Sequence, residues 1–503
     1  DEISIDYTRD GNTTQVKATL QQSKNRAFKV IRSKDGEDID IEWNKDGQAH
    51  KWMHKHKNKI KIHVNKLSNK GFLGVYLGSD EVENGIKLGG VVEGSAAEKA
   101  GLKELMEPMA IPMHSRMIHQ EDGTVDVQAY GKDGEAIYSI SRGDLNGVLL
   151  TEVEKHKNVT LHFNTRSKKV DLDNATVYFT NYLTNKESIV KADVIFGTDG
   201  AGSSLRKSYY LEKKFLFSFS QNYLNHGYKE LEIPADKMGK HQISKDHLHI
   251  WPRGDFMLIA LPNLDGSFTV TLFLSYNEGE FNFENLTSEE KITQFFEQEF
   301  PDALKLIPNI KEEFLNNPTG VLGTVKCSPW FYQNKTTLMG DAAHAIVPFY
   351  GQGMNASFED ITVFDEILDQ SLESWEAVFK AYQKVRKPDT DAIADLAIDN
   401  FHEMRNHVAN PVFKEKRKLE MSLEKTFPTE YFSKYSLVTF NENIGYNEAL
   451  KKGRAQDKVL LNLIADHSIQ TDTDMTQTEL KVILEKVKIE TNKILEEDKI
   501  AGL

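Results

Sequence analysis

Cysteine is almost absent: Cys327 is the only one in 503 residues, which excludes an internal disulfide framework and any cysteine-rich zinc site. No apolar run reaches the length needed to span a bilayer. Positive charge is in deficit, with 62 Lys and Arg against 76 Asp and Glu and a formal net charge of −14. That balance argues against nucleic acid or an anionic membrane as the main partner. No signal peptide is visible, and a start at Asp1 rather than Met leaves export undecided. What remains, 39% hydrophobic and 27% charged residues, describes a soluble globular protein of about two to four domains.

Residues 1–58 read as a β-rich polar segment, with Asp-Gly turn signals at 10–11, 35–36 and 46–47. His50 and His54 would share a helix face, but lysines at 51, 55, 57, 59 and 61 would repel a cation. The stretch is read as a basic surface, and no metal is expected. Gly71-Phe-Leu-Gly-Val75 and Gly94-Ser-Ala-Ala-Glu-Lys-Ala-Gly-Leu102 make residues 59–104 resemble the first half of a bacterial PDZ domain. The resemblance implies capture of a peptide C-terminus by strand addition, although the second half of such a domain does not follow Leu102. Gly89-Gly-Val-Val-Glu-Gly94 partly imitates a dinucleotide fingerprint, but Val91 stands where a pyrophosphate tolerates no side chain.

From residue 105 to 412 the pattern is mixed α/β (α+β), and 413–503 is charged and helical. Strands are expected at Val159–Asn164, Thr176–Phe179, Ala192–Phe196, Leu248–Trp251, Met257–Leu261 and Phe268–Leu274. The alternation of Phe268-Thr-Val-Thr-Leu-Phe-Leu274 predicts a sheet with one buried face. Helices are expected after Asp144, Ser288 and Asn355, the last with a core-facing stripe of Phe358, Ile361, Phe364, Ile367 and Leu368.

The most informative run is Met339-Gly-Asp-Ala-Ala-His-Ala-Ile-Val-Pro-Phe-Tyr-Gly-Gln-Gly-Met-Asn355. A strand ends, Asp341 follows at once, Pro348 sets a rigid turn, and a glycine loop opens a helix. An acid in that place grips sugar hydroxyls, glycines let backbone amides approach a ring, and a helix start offers N–H groups to an anion. Asp199-Gly200 makes a second tight turn, suited to a diphosphate, with Arg206 beyond it. Arg142 at a third helix start is a reasonable diphosphate clamp.

In the order Arg142, Asp199-Gly200, Gly340-Asp341, these motifs resemble the class A flavoprotein aromatic hydroxylases. The runs Ile111–His119, Leu248–Arg253, Met257–Asn263 and Ala345–Asn355 narrow the resemblance to the kynurenine 3-monooxygenase family, over about residues 105–412. It implies a flavin hydroxylase fold, with an FAD-binding α/β part, a sheet-based substrate part and C-terminal helices. It further implies FAD as cofactor, NADPH as reductant, O2 as cosubstrate and L-kynurenine as substrate; reductant supply favours a cytoplasmic setting, whereas the PDZ-like segment would suit export. By the same resemblance Gly340, Asp341, Gly351, Gly353, Met354 and Asn355 face the cofactor together with Arg142, Asp199 and Gly200. Pro348, Phe349 and Tyr350 line the reacting centre. Arg116 pairs with the substrate carboxylate, a bidentate task that suits Arg, assisted by Tyr130, Asn355 and Phe401. Two departures stand out. Phe401 occupies a place where relatives carry Tyr. The family's opening strand, glycine loop and helix have no counterpart upstream of residue 105, so a half-built FAD site with weak flavin retention is expected. A peptide-binding chain carrying a degenerate hydroxylase body is the rival expectation.

Overall fold

The computed structural model describes residues 106–501, save 131–134, 371, 407–410, 442 and 467–474, and upstream of these the backbone of six strands. The chain divides into two compact units, one of residues 1–71 with 141–160 and one of residues 72–140 with 161–503. Most of the PDZ-like stretch lies outside the described residues.

In the first unit β1 (Glu2–Arg9), β2 (Asn12–Gln22) and β3 (Phe28–Val30) form an antiparallel sheet, and β4 (Asp40–Trp43) pairs with β5 (Ala49–Met53). His50 therefore lies on a strand rather than a helix. Helix α1 (Arg142–Glu154) completes the unit; the Ser141 hydroxyl caps it by accepting from the Asp144 amide at 3.3 Å.

The second unit begins with β6 (Val75–Leu77), which borders a small sheet with β7 (Ala110–Met113) and β10 (Ala136–Ile140), in the order β6-β10-β7. Strands β8 (Ser115–His119) and β9 (Val125–Ala129) join the main sheet. A three-stranded sheet of β11 (Thr165–Asp171), β12 (Thr176–Asn181) and β13 (Glu187–Lys191) follows. Val159–Asn164 is not a strand, contrary to expectation. Asn164 turns in the left-handed region at φ 56°, held by the Tyr182 amide and hydroxyl, and extended chain starts only at Thr165. Next come β14 (Ile195–Gly197) and α2 (Ser204–Leu211).

The main sheet contains β15 (Ser218–Ile233), β16 (His247–Arg253), β17 (Phe256–Pro262), β18 (Phe268–Ser275) and, later, β19 (Gly320–Ser328), in the order β19-β15-β18-β17-β16-β8-β9. It is buried on both faces, not one. Leu258, Ala260, Val270 and Leu272 meet α3 (Glu289–Glu299), α4 (Pro301–Leu304) and α5 (Ile310–Asn316) through Phe295, Phe296, Phe300 and Phe314. Met257, Ile259, Leu261 and Phe273 face the other way. That double burial explains the unbroken apolar run of β17.

Strands β20 (Phe331–Tyr332) and β21 (Thr336–Leu338) then lead into α6 (Asp341–His344) and α7 (Gly353–Leu368). The buried stripe of α7 is Ala356, Asp360, Phe364 and Ile367, whereas the expected members Ile361 and Leu368 are 46% and 40% exposed. An acid takes a core position because partners await it, as described below. Helices α8 (Trp375–Asn406), α9 (Pro411–Thr426), α10 (Lys434–Thr439), α11 (Tyr446–Ala465) and α12 (Gln477–Ala501) close the chain. No helix among the described residues is long and apolar enough to cross a membrane.

Candidate active site

Strands β14 and β21 are parallel, with Gly197 opposite Leu338, and the Met339 amide donates to the Gly197 carbonyl at 3.0 Å. The Asp199-Gly200 turn and the Gly340-Asp341 step therefore leave neighbouring carboxyl ends of one sheet, where ligands of open α/β folds bind. Gly197 is required by packing, since a Cβ there would meet Leu205 at 2.5 Å. Asp199 builds its turn by accepting from the Ser204 amide at 2.6 Å and hydroxyl at 2.9 Å. The buried Arg206 stitches the two loops together, donating to the Ala342 carbonyl at 2.6 Å and to the Ala201 carbonyl.

Gly340 sits at φ 58° before α6. Its amide donates at 2.9 Å to Asp360 of α7, which also binds His344 Nε2 at 2.6 Å and accepts from Arg386 Nε at 2.8 Å. Arg386 adds Glu359 at 2.9 Å and the Ala356 carbonyl at 3.1 Å. Burial alone would raise the Asp360 pKa, but the His344 imidazole and the Arg386 guanidinium hold it down, at about 2. This buried knot fixes the Gly-Asp step against α7.

The approach to α7 is a short turn, Pro348–Tyr350, closed by Gly351 at φ 69°. No side chain caps α7 at Gln352, so the first-turn amides of Gly353, Met354 and Asn355 are offered outward. The buried Gln352 instead accepts through Oε1 from Asn355 Nδ2 at 2.8 Å and from the Tyr446 hydroxyl at 3.0 Å.

On the near side of that turn lies an aromatic pocket. The Arg116 guanidinium stands 4.9 Å from the Tyr130 ring and 4.5 Å from the Tyr435 ring, and among the described residues no carboxylate pairs with it. Tyr435 stacks on Tyr130 at 5.9 Å and on Tyr350 at 5.6 Å. Phe349 meets Phe401 at 4.6 Å and Phe273 at 5.1 Å, and its carbonyl accepts from Asn400 Nδ2 at 2.7 Å. The Tyr130 hydroxyl is buried without a hydrogen-bond partner, and burial drives its pKa far up. A guanidinium set among tyrosines, with no carboxylate to balance it among the described residues, calls for an anionic oxygen from outside the chain.

Arg116, Tyr130, Phe349, Tyr350 and Phe401 thus converge, and Asp199, Gly200, Gly340, Asp341, Gly351, Gly353 and Met354 lie along the adjoining strand ends and loop. Asn355 turns its side chain to Gln352 rather than to the tyrosines. Arg142 belongs to the first unit. Sequence reasoning missed Tyr435, Tyr446, Asn400 and the His344–Asp360–Arg386 knot. No local pattern marks Tyr435, which reaches the pocket from a distant helix; an acid inside an apolar helix stripe was a usable signal for Asp360.

A parallel strand pair with cofactor-sized loops at its carboxyl end, joined to a mixed sheet and an aromatic pocket, defines the flavin-dependent hydroxylase class. Residues 95–397 match the FAD binding domain family. Kynurenine 3-monooxygenase of Flavobacterium johnsoniae is 42% identical over 388 residues, covering 77% of this chain and 86% of that protein. The enzymes of the same name from Dictyostelium discoideum and Myxococcus xanthus are 44% and 43% identical, covering 73% and 76% of this chain and 81% of each of those proteins. The fold is similar to that of 2-methyl-3-hydroxypyridine-5-carboxylic acid oxygenase, with a TM-score of 0.51 and 18% identity over 63% of this chain and 80% of that one. The chain belongs to the kynurenine 3-monooxygenase family of FAD-dependent monooxygenases.

The residues present fit the flavin. An uncapped helix start suits its negative edge, Asp341 suits sugar hydroxyls, and a Cβ at Gly200 would meet nothing within 4 Å, so that turn is open to a ligand.

Proposed function

We propose that this chain hydroxylates L-kynurenine at ring carbon 3, using FAD, NADPH and O2. The observation that carries the reading is Arg116, a guanidinium without a carboxylate partner among the described residues, held between Tyr130 and Tyr435, which pack in one cluster with Phe349 and Phe401. Arg116 takes the amino-acid carboxylate, with the Tyr130 hydroxyl donating to the same group. Phe349, Tyr350 and Phe401 clamp the aromatic ring and exclude water. Asn400 keeps the Phe349 backbone in place. The first-turn amides of α7 would receive negative charge at the cofactor's pyrimidine edge, Asp341 would hold its sugar hydroxyls, and the Asp199-Gly200 turn would serve its diphosphate. Bound FAD, reduced by NADPH, supplies the oxygen chemistry.

Phe401 packs edge-on against His226 at 5.3 Å and offers the substrate an apolar face only. The test is kynurenine-stimulated NADPH oxidation with 3-hydroxykynurenine identified as product; oxidation that ignores kynurenine, or that yields only hydrogen peroxide with it, would refute the proposal. The cytoplasm, where NADPH is supplied, is the compartment this reading favours. Peptide capture by residues 59–104 is a separate proposal resting on the sequence Gly71-Phe-Leu-Gly-Val75, tested by titration with a peptide bearing a free C-terminus.

A further inference from the structure

We infer that Tyr446, at the first position of α11, is a positioning residue for the hydroxylation: through Gln352 it sets the orientation of Asn355 and of the α7 first turn. The inference rests on the hydroxylase reading above, and extends it to a residue outside both the pocket and the flavin-facing loop.

Gln352 sits between Tyr350, which lines the pocket, and Gly353, which opens α7. Its side-chain oxygen has two donors, Asn355 Nδ2 at 2.8 Å from within the loop and the Tyr446 hydroxyl at 3.0 Å from outside it. Only the second ties the loop to a fixed reference. Helix α11 is such a reference, because it is bolted to α8 at two points. The Asn447 amide donates to Asp389 at 2.8 Å, and Arg454 grips Asp399 in two-pronged fashion at 2.8 and 3.0 Å. Gly445 lets the chain come that close, since a Cβ there would lie 2.8 Å from the Asp389 carboxylate.

The same helix steadies the pocket. Asp457 of α11 binds Lys434 at 2.6 Å, Lys434 also pairs with Glu403, and a Cβ at Gly453 would strike the Lys434 side chain at 2.5 Å. Lys434 adjoins Tyr435, the ring under Arg116. One helix therefore fixes both the anionic-edge turn and the carboxylate anchor, and the Tyr446 hydroxyl ties it to the glycine loop. Without the hydroxyl, Gln352 and Asn355 remain paired with each other but lose their external anchor, so the α7 amides are less well aimed.

The test uses the full chain and Tyr446→Phe, with wild type in parallel. FAD affinity is read by quenching of flavin fluorescence, coupling by product formed per NADPH consumed, and folding by thermal midpoint. The expected result is about three- to tenfold weaker FAD binding, as for one lost hydrogen bond. Coupling falls, the KM for kynurenine changes less than kcat, and the midpoint shifts by no more than about 3 °C. Gln352→Asn, whose shorter side chain cannot reach Tyr446, should reproduce the effect and serves should Tyr446→Phe fold poorly. In the Gln352→Asn background Tyr446→Phe should add nothing. Unchanged FAD affinity and coupling, a lowered midpoint alone, or full additivity of the two substitutions would each overturn the inference. Failure of the wild type to bind FAD or respond to kynurenine would instead count against the hydroxylase reading.

Discussion

At the scale of single residues, the pocket turns on one unbalanced charge. Arg116 is surrounded by tyrosine rings, which stabilise a cation without neutralising it. Removing it should cost about 2–5 kcal/mol of substrate binding, as for one partner of a buried charge pair. Arg116→Met is therefore expected to raise the kynurenine Kd by at least about thirtyfold, measured by titration, while flavin affinity stays near that of wild type. Arg116→Lys should recover only part of the loss, because an ammonium cannot match both carboxylate oxygens. Arg116 and Tyr130 were legible because each lies in a short, characteristic run. Tyr435 was not: it arrives from α10, and nothing about a tyrosine in a charged helical stretch says which distant strand it will cover. Tyr435→Ala should open the Arg116 site to water and weaken kynurenine binding by about tenfold, from the lost stacking and cation–π contacts, checked by the same titration.

At the scale of elements, the sequence reading placed three strands of the main sheet, β16, β17 and β18, and the start of α7, because apolar runs and glycine loops are local signals; it did not foresee β8, β9, β15 or β19, whose polar residues break the apolar pattern. It misjudged which α7 residues are buried. Hydrophobic periodicity counts apolar side chains, and Asp360 is inside because His344, Arg386 and the Gly340 amide satisfy it, which no periodicity reveals. Asp360→Asn would leave Arg386 with Glu359 as its one carboxylate among the described residues and should destabilise the chain by about 1.5–3 kcal/mol in urea unfolding, as for lost hydrogen bonds between charged groups. Since the folded Asp360 pKa is lowered to about 2 from an ordinary 3.8, its contribution is complete above about pH 4 and lost as pH falls toward 2.

A second titration lies in the main sheet. His249 accepts through Nδ1 from His119 Nε2 at 2.9 Å and donates from Nε2 to the Ser244 carbonyl at 2.7 Å. Burial, with the neighbouring histidines, lowers its pKa from 6.5 to about 4. The folded state therefore binds fewer protons than the unfolded chain between those values, and stability should fall as pH drops from 6.5 to 4, by up to about 3 kcal/mol. His249→Asn should flatten that slope in urea unfolding measured across the interval; an unchanged slope would remove His249 as its source.

At the scale of the whole molecule, the features that fit a flavin are unevenly spread. The α7 amides, Asp341 and the glycine turn gather around the ring and sugar end, next to the aromatic pocket. In the small sheet β14-β21-β20 the parallel pair is β14 beside β21, and Phe196 on β14, an edge strand among the described residues, is 41% exposed. The family match begins at residue 95, and about 14% of the Flavobacterium johnsoniae enzyme has no counterpart in the alignment. A half-built adenosine site is the expectation drawn from the sequence, in which no Gly-x-Gly-x-x-Gly run stands upstream of residue 95 to bring backbone amides and a helix dipole to a diphosphate. If the isoalloxazine half is held and the adenosine half is not, the nucleotide tail should contribute little to affinity. FMN should then bind within about tenfold of FAD, a difference of no more than about 1.4 kcal/mol. Gel-filtered protein should retain less than one flavin per chain and regain kynurenine-dependent NADPH oxidation when free FAD is added. Fluorescence titrations with the two flavins decide the matter. FAD binding a hundredfold or more tighter than FMN would mean that residues of this chain do hold the adenosine end, and the half-built site would have to be abandoned.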